Sequence, residues 1–514
     1  MASTIAFVCN DRAVTVEVAP GESLLNVLRE RLGITSPKDG CAPQGQCGCC
    51  TVLVDGEPRV ACVTPAERVE GRAVTTIEGI DARKAAESFV ATGGSQCGFC
   101  TPGIIMRFAG TRARDVDRSL AAHLCRCTGW LTVKEAVAGA SGIRDFERAS
   151  RRALLEGGPQ YVGLDVPVGG ALFADDTAPR AALVAVPLPP GSSAESVAAA
   201  GMHWVVADSL LEARARAGKV QGRRTTVDAR PPLLDQMPPV PEGGVRLATA
   251  WVEPAYLEPD ASWCEPGGDP ATPLANGGAF GGKMHSAAPQ AARELADHFD
   301  NAVRVVYSRE DVVRLGPKRA PIAAVAVVRG GTVEIDGVVA RGAVPRAWPA
   351  LVPVTARWTE VDIAGPPVGP ELRAAGMAEQ AMLVAGALGR NEQVVTPTGA
   401  RARAEVSAGR IRVEVAAGDP LDEVVLRSYA IGAAHMAYSW VTSEGLAVDV
   451  TTGEVHDLTI RSFGVVRASE TPPVDVTIVD ESGPPRERGS DAVFSAVAAA
   501  TWLSLGCPDT LPAR

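Results

Sequence analysis

Ten of the twelve cysteines in this 514-residue chain lie at or before Cys127, and only Cys264 and Cys507 come later. The start of the chain, MASTIAFVCNDRAV, has no basic stretch followed by an apolar core and a small-residue cleavage site, so no secretory leader is expected. Nor does any run approach the roughly 20 apolar residues needed to span a bilayer. The expectation is a cytoplasmic protein with no membrane partner. In a reducing compartment dense cysteines bind metal or do redox chemistry more often than they form disulfides. With 46% apolar and 21% charged residues the chain is an ordinary globular one, long enough for several domains. Its net charge of -10 offers no footprint for nucleic acid.

The first cysteine group reads GCAPQGQCGCCTVLVDGEPRVAC, with Cys41, Cys47, Cys50 and Cys62 as its candidate ligands. Three thiolates close together and a fourth returning from a neighbouring strand is how a loop wraps a plant-type [2Fe-2S] cluster. Gly40, Gly45 and Gly48 let that loop curl. A structural zinc site, the competing reading, commonly takes its ligands from two short knuckles. The second group is QCGFCTPG followed by LCRCTGW, giving Cys97, Cys100, Cys125 and Cys127. Alone these two pairs also suit zinc. Behind a ferredoxin loop, and at helix ends whose free N–H groups favour an anionic cluster, they read as a second [2Fe-2S] site. Cys9 and Cys507 read as small buried hydrophobes, as does Cys264.

Alternation in IAFVCNDRAVTVEVAP predicts two strands joined at Asn10-Asp11, and ESLLNVLRERLG puts Leu24, Leu25, Leu28 and Leu32 on one helical face. Strands at TVLVDG and AVTTIEG complete a first domain over 1–78. Helical patterns at AAESFV, TPGIIMRFAG, VDRSLAAHL and TVKEAVAGA make a second over 79–154. A third, 155–232, opens at GGALFADD and ends at the Pro/Gly-rich PPLLDQMPPVPEGG. In 233–514, strands such as VRVVYS, RIRVEVA and VHDLTI alternate with helices such as APQAARELADHF and VFSAVAAATWLSL. His285, His298, His435 and His456 have no ligand spacing and read as solvated.

QCGFCTPG and LCRCTG, behind that cysteine loop, resemble the molybdenum hydroxylases, the xanthine dehydrogenase and aldehyde oxidase family, almost continuously over residues 1–140. The resemblance implies a multidomain α+β protein: a ferredoxin-like β-grasp [2Fe-2S] domain, a helical [2Fe-2S] domain, then a mixed α/β region of the molybdenum-hydroxylase type. It implies that Gln96 and Cys127 lie beside the pterin of a molybdenum cofactor, with the first cluster farther out on the electron path. Cys41 and Cys47 are separated by five residues where four are usual, which leaves Cys49 or Cys50 as third ligand; Cys50 keeps the family's gap from Cys47. The Cys100 to Cys125 spacing is short. GGALFADDTAPRAALVAVPLP resembles the start of the family's large subunit. ANGGAFGGKMHSAAPQAARELA resembles its cofactor loop, so that Gly278, Ala279, Phe280 and Gly281 would line the metal side. ELRAAGMAEQAM resembles an arginine-glycine segment, making Arg373 and Gly376 cofactor or pocket residues. SYAIGAAHMAYSW and LAVDVTTGEV resemble later strands.

The family's catalytic glutamate follows a glycine near the chain's end, but here Ser490 follows Gly489 and the first carboxylate is Asp491. Asp491 is therefore the candidate base, one methylene shorter and one residue displaced. The second half is shorter than the family's, its glutamine-proline pterin segment is not found, and a flavin domain is absent. The expectation is hydroxylation of a small molecule, an aldehyde or electron-poor N-heterocycle, with oxygen from water, electrons passing through both clusters to a separate FAD-containing subunit. The competing expectation is a non-catalytic electron-transfer and assembly subunit docked on a separate full-length molybdenum-binding subunit.

Overall fold

A computed structural model describes residues 3–110, 115–218, 227–274, 276–277, 279–346, 348–370 and 372–513. Ser3–Cys9 buries Ile5, Phe7 and Cys9 on one face and pairs antiparallel with Arg12–Val18. Asn10 and Asp11, at φ 48° and 61°, make the left-handed two-residue turn whose twist suits a hairpin. Ala73–Thr75, Thr51–Val54 and Glu57–Val60 complete a five-stranded sheet. Glu57–Val60 is a strand beyond those expected, a short edge containing Pro58 that alternation does not mark. Helices Arg83–Thr92, Thr101–Gly110, Val116–Leu120 and Leu131–Val137 follow, then a tether helix, Phe146–Leu155, capped by Asp145.

A second five-stranded sheet takes Leu183–Pro187, Val197–Ala199 and Met202–Ala207 together with Ala261–Cys264 and Val303–Val306. That sheet runs across the expected boundary at 232, because the chain leaves after Met202–Ala207 and returns to add two strands. In between, Val245–Thr249 joins a third sheet with Ile322–Arg329, Thr332–Ala340, Val354–Val361 and Thr510–Leu511. A fourth contains Val394–Val395, Arg401–Ser407, Arg410–Ala416 and Val474–Ile478. Helix Ala375–Leu388, an inner helix Glu423–Thr442 and a final helix Gly489–Ser504 are apolar on nearly every side, as helices without a solvent face must be, and pack together. Trp440 stacks on Phe494 with centroids 5.6 Å apart.

Three expectations fail in this half. SYAIGAAHMAYSW is helical and lies inside the inner helix, where small apolar residues on all sides pack against its neighbours. VHDLTI and LAVDVTTGEV form no named strand; their backbone is held by an isolated Val448–Val455 bridge and a 3₁₀ turn, Ile460–Phe463. His435 is fully buried, not solvated.

Burial lowers the pKa of His435 to about 4, Arg126 adding to the effect, and one ring nitrogen meets the Val466 carbonyl at 3.1 Å. An unfolded chain protonates this group near 6.5, but the folded one waits until about 4. The neutral histidine therefore contributes stability that is complete above pH 6.5 and lost as pH falls through 4. Replacement by a residue that does not titrate, His435→Gln, should remove on the order of 3 kcal/mol from the stability lost between pH 7 and pH 4, measured by denaturant unfolding at both pH values.

The cysteine-rich half and the later half share many buried contacts. Arg309 donates to the Gly40 carbonyl at 2.6 Å, and Gln44 exchanges bonds with the Leu458 carbonyl and the Ile460 amide. Arg29 pairs with Asp175 and Asp176 at 2.7 and 2.9 Å. Gly432 of the inner helix packs so closely that a Cβ there would lie 1.8 Å from the Cys127 carbonyl oxygen.

Candidate iron-sulfur and cofactor site

In the first loop the Cys41 thiol meets those of Cys47 and Cys62, and Cys62 meets Cys50. The Cys49 thiol meets that of Cys47 and also lies 3.8 Å from the Cys47 carbonyl. The Gln44 and Gln46 amides point at the Cys41 sulfur, and the Cys62 amide points at Cys50. Such donors stabilise sulfur carrying negative charge. In the second group the Cys97 and Cys127 sulfurs are 3.6 Å apart, and Cys100 meets Cys125. Cys100 immediately precedes helix Thr101–Gly110, so the free amides of that helix start face the thiols.

Among the described residues no three Cys, His, Asp or Glu side chains converge on one point as the ligands of a single ion would. Two pairs per site match two irons, each taking two thiolates. The two loops touch directly, the Leu124 amide donating to the Cys47 carbonyl at 2.9 Å. Gly103 is required there, since a Cβ would fall 2.5 Å from the Gly48 carbonyl oxygen.

A cavity of about 450 Å³ lies against the second group. Gln96, Cys97, Cys100, Cys125 and Cys127 form one wall, and Gly277, Ala279, Phe280, Gly281 and Arg373 another. Asp491, Arg488 and Phe494 come from the start of the final helix. Gly278 lies outside the described residues. Gly376 does not line the cavity: the chain turns at Arg373 and Ala374, and Gly376 faces Pro345 and Arg319 one helical turn on. Ala279, Phe280, Arg373, Ala374 and Arg488 all have left-handed backbones, with φ between 48° and 58°. Such conformations cost energy outside glycine and concentrate at functional walls.

The polar groups of the cavity are anchored. Gln96 donates to the Cys127 carbonyl at 3.1 Å and to Ser428 at 2.9 Å. Arg126, between two cysteines of the second group, forms a two-pronged pair with Glu444 at 2.7 and 2.8 Å, and Arg373 binds the same carboxylate at 2.9 Å. The Asp491 side chain keeps 25% of its surface and meets Arg488 at 3.3 Å. Burial pushes its carboxyl up to about 6, Arg488 opposing and the Glu156 charge adding to the rise. Glu258, held by Lys283 at 2.6 Å, is pushed by burial to about 7 in spite of that cation. Glu156, Glu258 and Glu444 were not singled out from the sequence. Lys283, at the end of GGAFGGK, was the one signal near Glu258.

Models of a 2Fe-2S iron-sulfur cluster binding domain and a [2Fe-2S] binding domain match residues 7–74 and 76–138. The nicotinate dehydrogenase small FeS subunit of Eubacterium barkeri is 34% identical over 145 residues, 26% of this chain and 92% of that protein. The chain belongs to the molybdenum hydroxylase family. Another family member, the xanthine dehydrogenase iron-sulfur-binding subunit of Escherichia coli O157:H7, is 36% identical over 26% of this chain and 91% of its own length. Likeness to family members extends past the cysteine-rich part as fold: the aldehyde oxidoreductase from Desulfovibrio gigas aligns across 97% of each chain with a TM-score of 0.70 at 14% identity. This molybdenum hydroxylase relative is thus an oxidoreductase-type chain with two [2Fe-2S] domains and an aldehyde-oxidoreductase-like fold. Among the described residues no helix is long and apolar enough to cross a membrane.

Proposed function

We propose that this chain hydroxylates an aldehyde or an electron-poor N-heterocycle, taking the oxygen from water. Substrate C–H and water become C–OH, two protons and two electrons; the electrons leave through the Cys97/Cys100/Cys125/Cys127 cluster and then the Cys41/Cys47/Cys50/Cys62 cluster to a flavin-bearing partner. The observation that carries this reading is the shared cavity, lined from one side by Gln96 and the second cysteine group and from the other by Phe280, Gly281 and Arg373. Its volume suits a cofactor-sized group, and Gly282 lets the glycine loop pack onto the Tyr256 ring that lines the cavity, since a Cβ there would lie 2.5 Å from that ring. A molybdenum-pterin group held there would supply the two-electron redox centre. Arg373 and Arg488 offer positive charge to an anionic cofactor, Gln96 faces it from the cluster side, and Phe280 closes the substrate side. Asp491 accepts the proton released as water is activated, within the pH range its environment sets.

A second reading has its own support: the curated relatives named above are separate iron-sulfur subunits, and Ser490 occupies the place of the family glutamate. In it the chain only carries electrons for a full-length molybdenum-binding subunit. Metal analysis of the purified chain distinguishes the two. Four iron atoms with one molybdenum per chain are expected for the first reading, and four iron atoms with no molybdenum would transfer the assignment to the second.

A further inference from the structure

The end of the tether helix and the start of the final helix are clamped together at the cavity wall. Arg488 donates its amide to the Leu155 carbonyl at 2.9 Å, Arg152 donates to the Arg486 carbonyl at 2.8 Å, and the Ser490 amide donates to Glu156 at 2.8 Å. The other Glu156 oxygen takes Arg152 at 2.6 Å, and neither side chain of that pair has any exposed surface. Glu156 thus caps the final helix from a segment more than 300 residues earlier, beside the serine that replaces a carboxylate. It also lines the same cavity as Asp491.

We infer that Glu156 and Asp491 form a coupled carboxylate pair in one cavity wall, in which Glu156 is a positioning residue that clamps the start of the final helix and so fixes where Asp491 stands. This rests on the reading of Asp491 as proton acceptor.

The asymmetry between the two carboxylates follows from their partners. Glu156 has a buried guanidinium on one oxygen and a helix-start amide on the other. Asp491 has one longer contact with Arg488, whose side chain is half exposed. A second negative charge in one wall disfavours ionisation of the less supported group. The remaining charged or titratable groups lining the cavity are Arg126, Tyr256, Glu258, Lys283, His285, Arg346 and Arg373 from loops, the four cysteines of the second group, and Tyr429 from the inner helix. Burial acts in the same direction as Glu156, bringing Asp491 up to about 6. Two carboxylates with divergent environments are how one site holds a charge and a proton at once.

The test labels carboxyl groups with a water-soluble carbodiimide and an amine over a series of pH values, with peptide mass spectrometry reading Asp491 against exposed aspartates. The wild-type chain should show a midpoint near 6. In Glu156→Gln the midpoint should fall, leaving Asp491 less protonated at a given pH. Because that variant leaves Arg152 buried without its anion, a double variant, Arg152→Met with Glu156→Gln, removes the pair as a unit, a replacement that buried ion pairs often tolerate. It should shift in the same direction. A folded variant, with its visible iron-sulfur spectrum intact and the Asp491 midpoint unmoved or raised, overturns the inference. So does loss of that spectrum in the double variant as well, which would make Glu156 a residue of the fold alone. If instead the midpoint falls while Asp491→Asn leaves turnover intact, the pair stands and the reading of Asp491 as the base does not.

Discussion

Cys127→Ser should abolish one of two electron paramagnetic resonance signals of the reduced protein, halve its iron from four atoms to two per chain, and leave the other signal in place. The reason is geometric. Cys127 pairs with Cys97 and Cys100 pairs with Cys125, while Cys41, Cys47, Cys50 and Cys62 meet one another, so the two sets share no thiol although their loops touch. Serine oxygen is a harder and poorer ligand for an iron-sulfur centre than thiolate. Cys62→Ser should give the complementary result. Loss of both signals from either substitution would mean that the two sites are not independent. Zinc in the wild-type protein, with no colour, would overturn the cluster assignment.

Asp491→Asn should reduce turnover by about a hundredfold or more, the usual contribution of a positioned general base, while iron and molybdenum contents stay unchanged. The carboxylate lines the cavity and keeps a quarter of its side-chain surface, so it can reach a reacting group; its neighbour Ser490 has its amide committed to Glu156. Activity of the wild-type chain should rise with pH through about 6 as Asp491 loses its proton, and the variant should lack that limb. Unchanged turnover in Asp491→Asn would overturn the reading of Asp491 as the base.

The iron-sulfur part was open to sequence reading because each cluster loop is a local device. Its ligands are near one another in the chain, its glycines mark the bends, and little depends on distant residues. The GGAFGGK loop was visible for the same reason, although nothing in it reveals that Cys97 stands across from Gly277, where a Cβ would come within 3.1 Å of the cysteine Cβ. The second half was harder. Resemblance placed SYAIGAAHMAYSW among strands, and its small apolar residues, buried on all sides of a helix, leave no periodicity in the sequence to correct that. A sheet that is left and rejoined after more than 50 residues has no local sign at all, so the boundary at 232 fell inside it. Glu156, Glu258 and Glu444 become site residues only through tertiary packing: each is an ordinary acid in the sequence, given meaning by Ser490, Lys283 or Arg126.

The way the later half covers the first cysteine loop carries a consequence for how the protein is made. Gly40 is held by Arg309, Gln44 by the backbone at 458–460, and Cys41, Cys47, Cys50 and Cys62 are all buried beneath. Iron and sulfide delivered by a maturation system have to reach these thiols before that cover closes. Synthesis supplies the opportunity, since every candidate cluster ligand has emerged by residue 127 while the covering segments are still to be translated. Reconstitution with iron and sulfide should therefore be efficient when the chain refolds in their presence and slow when they are added to the already folded, iron-free protein.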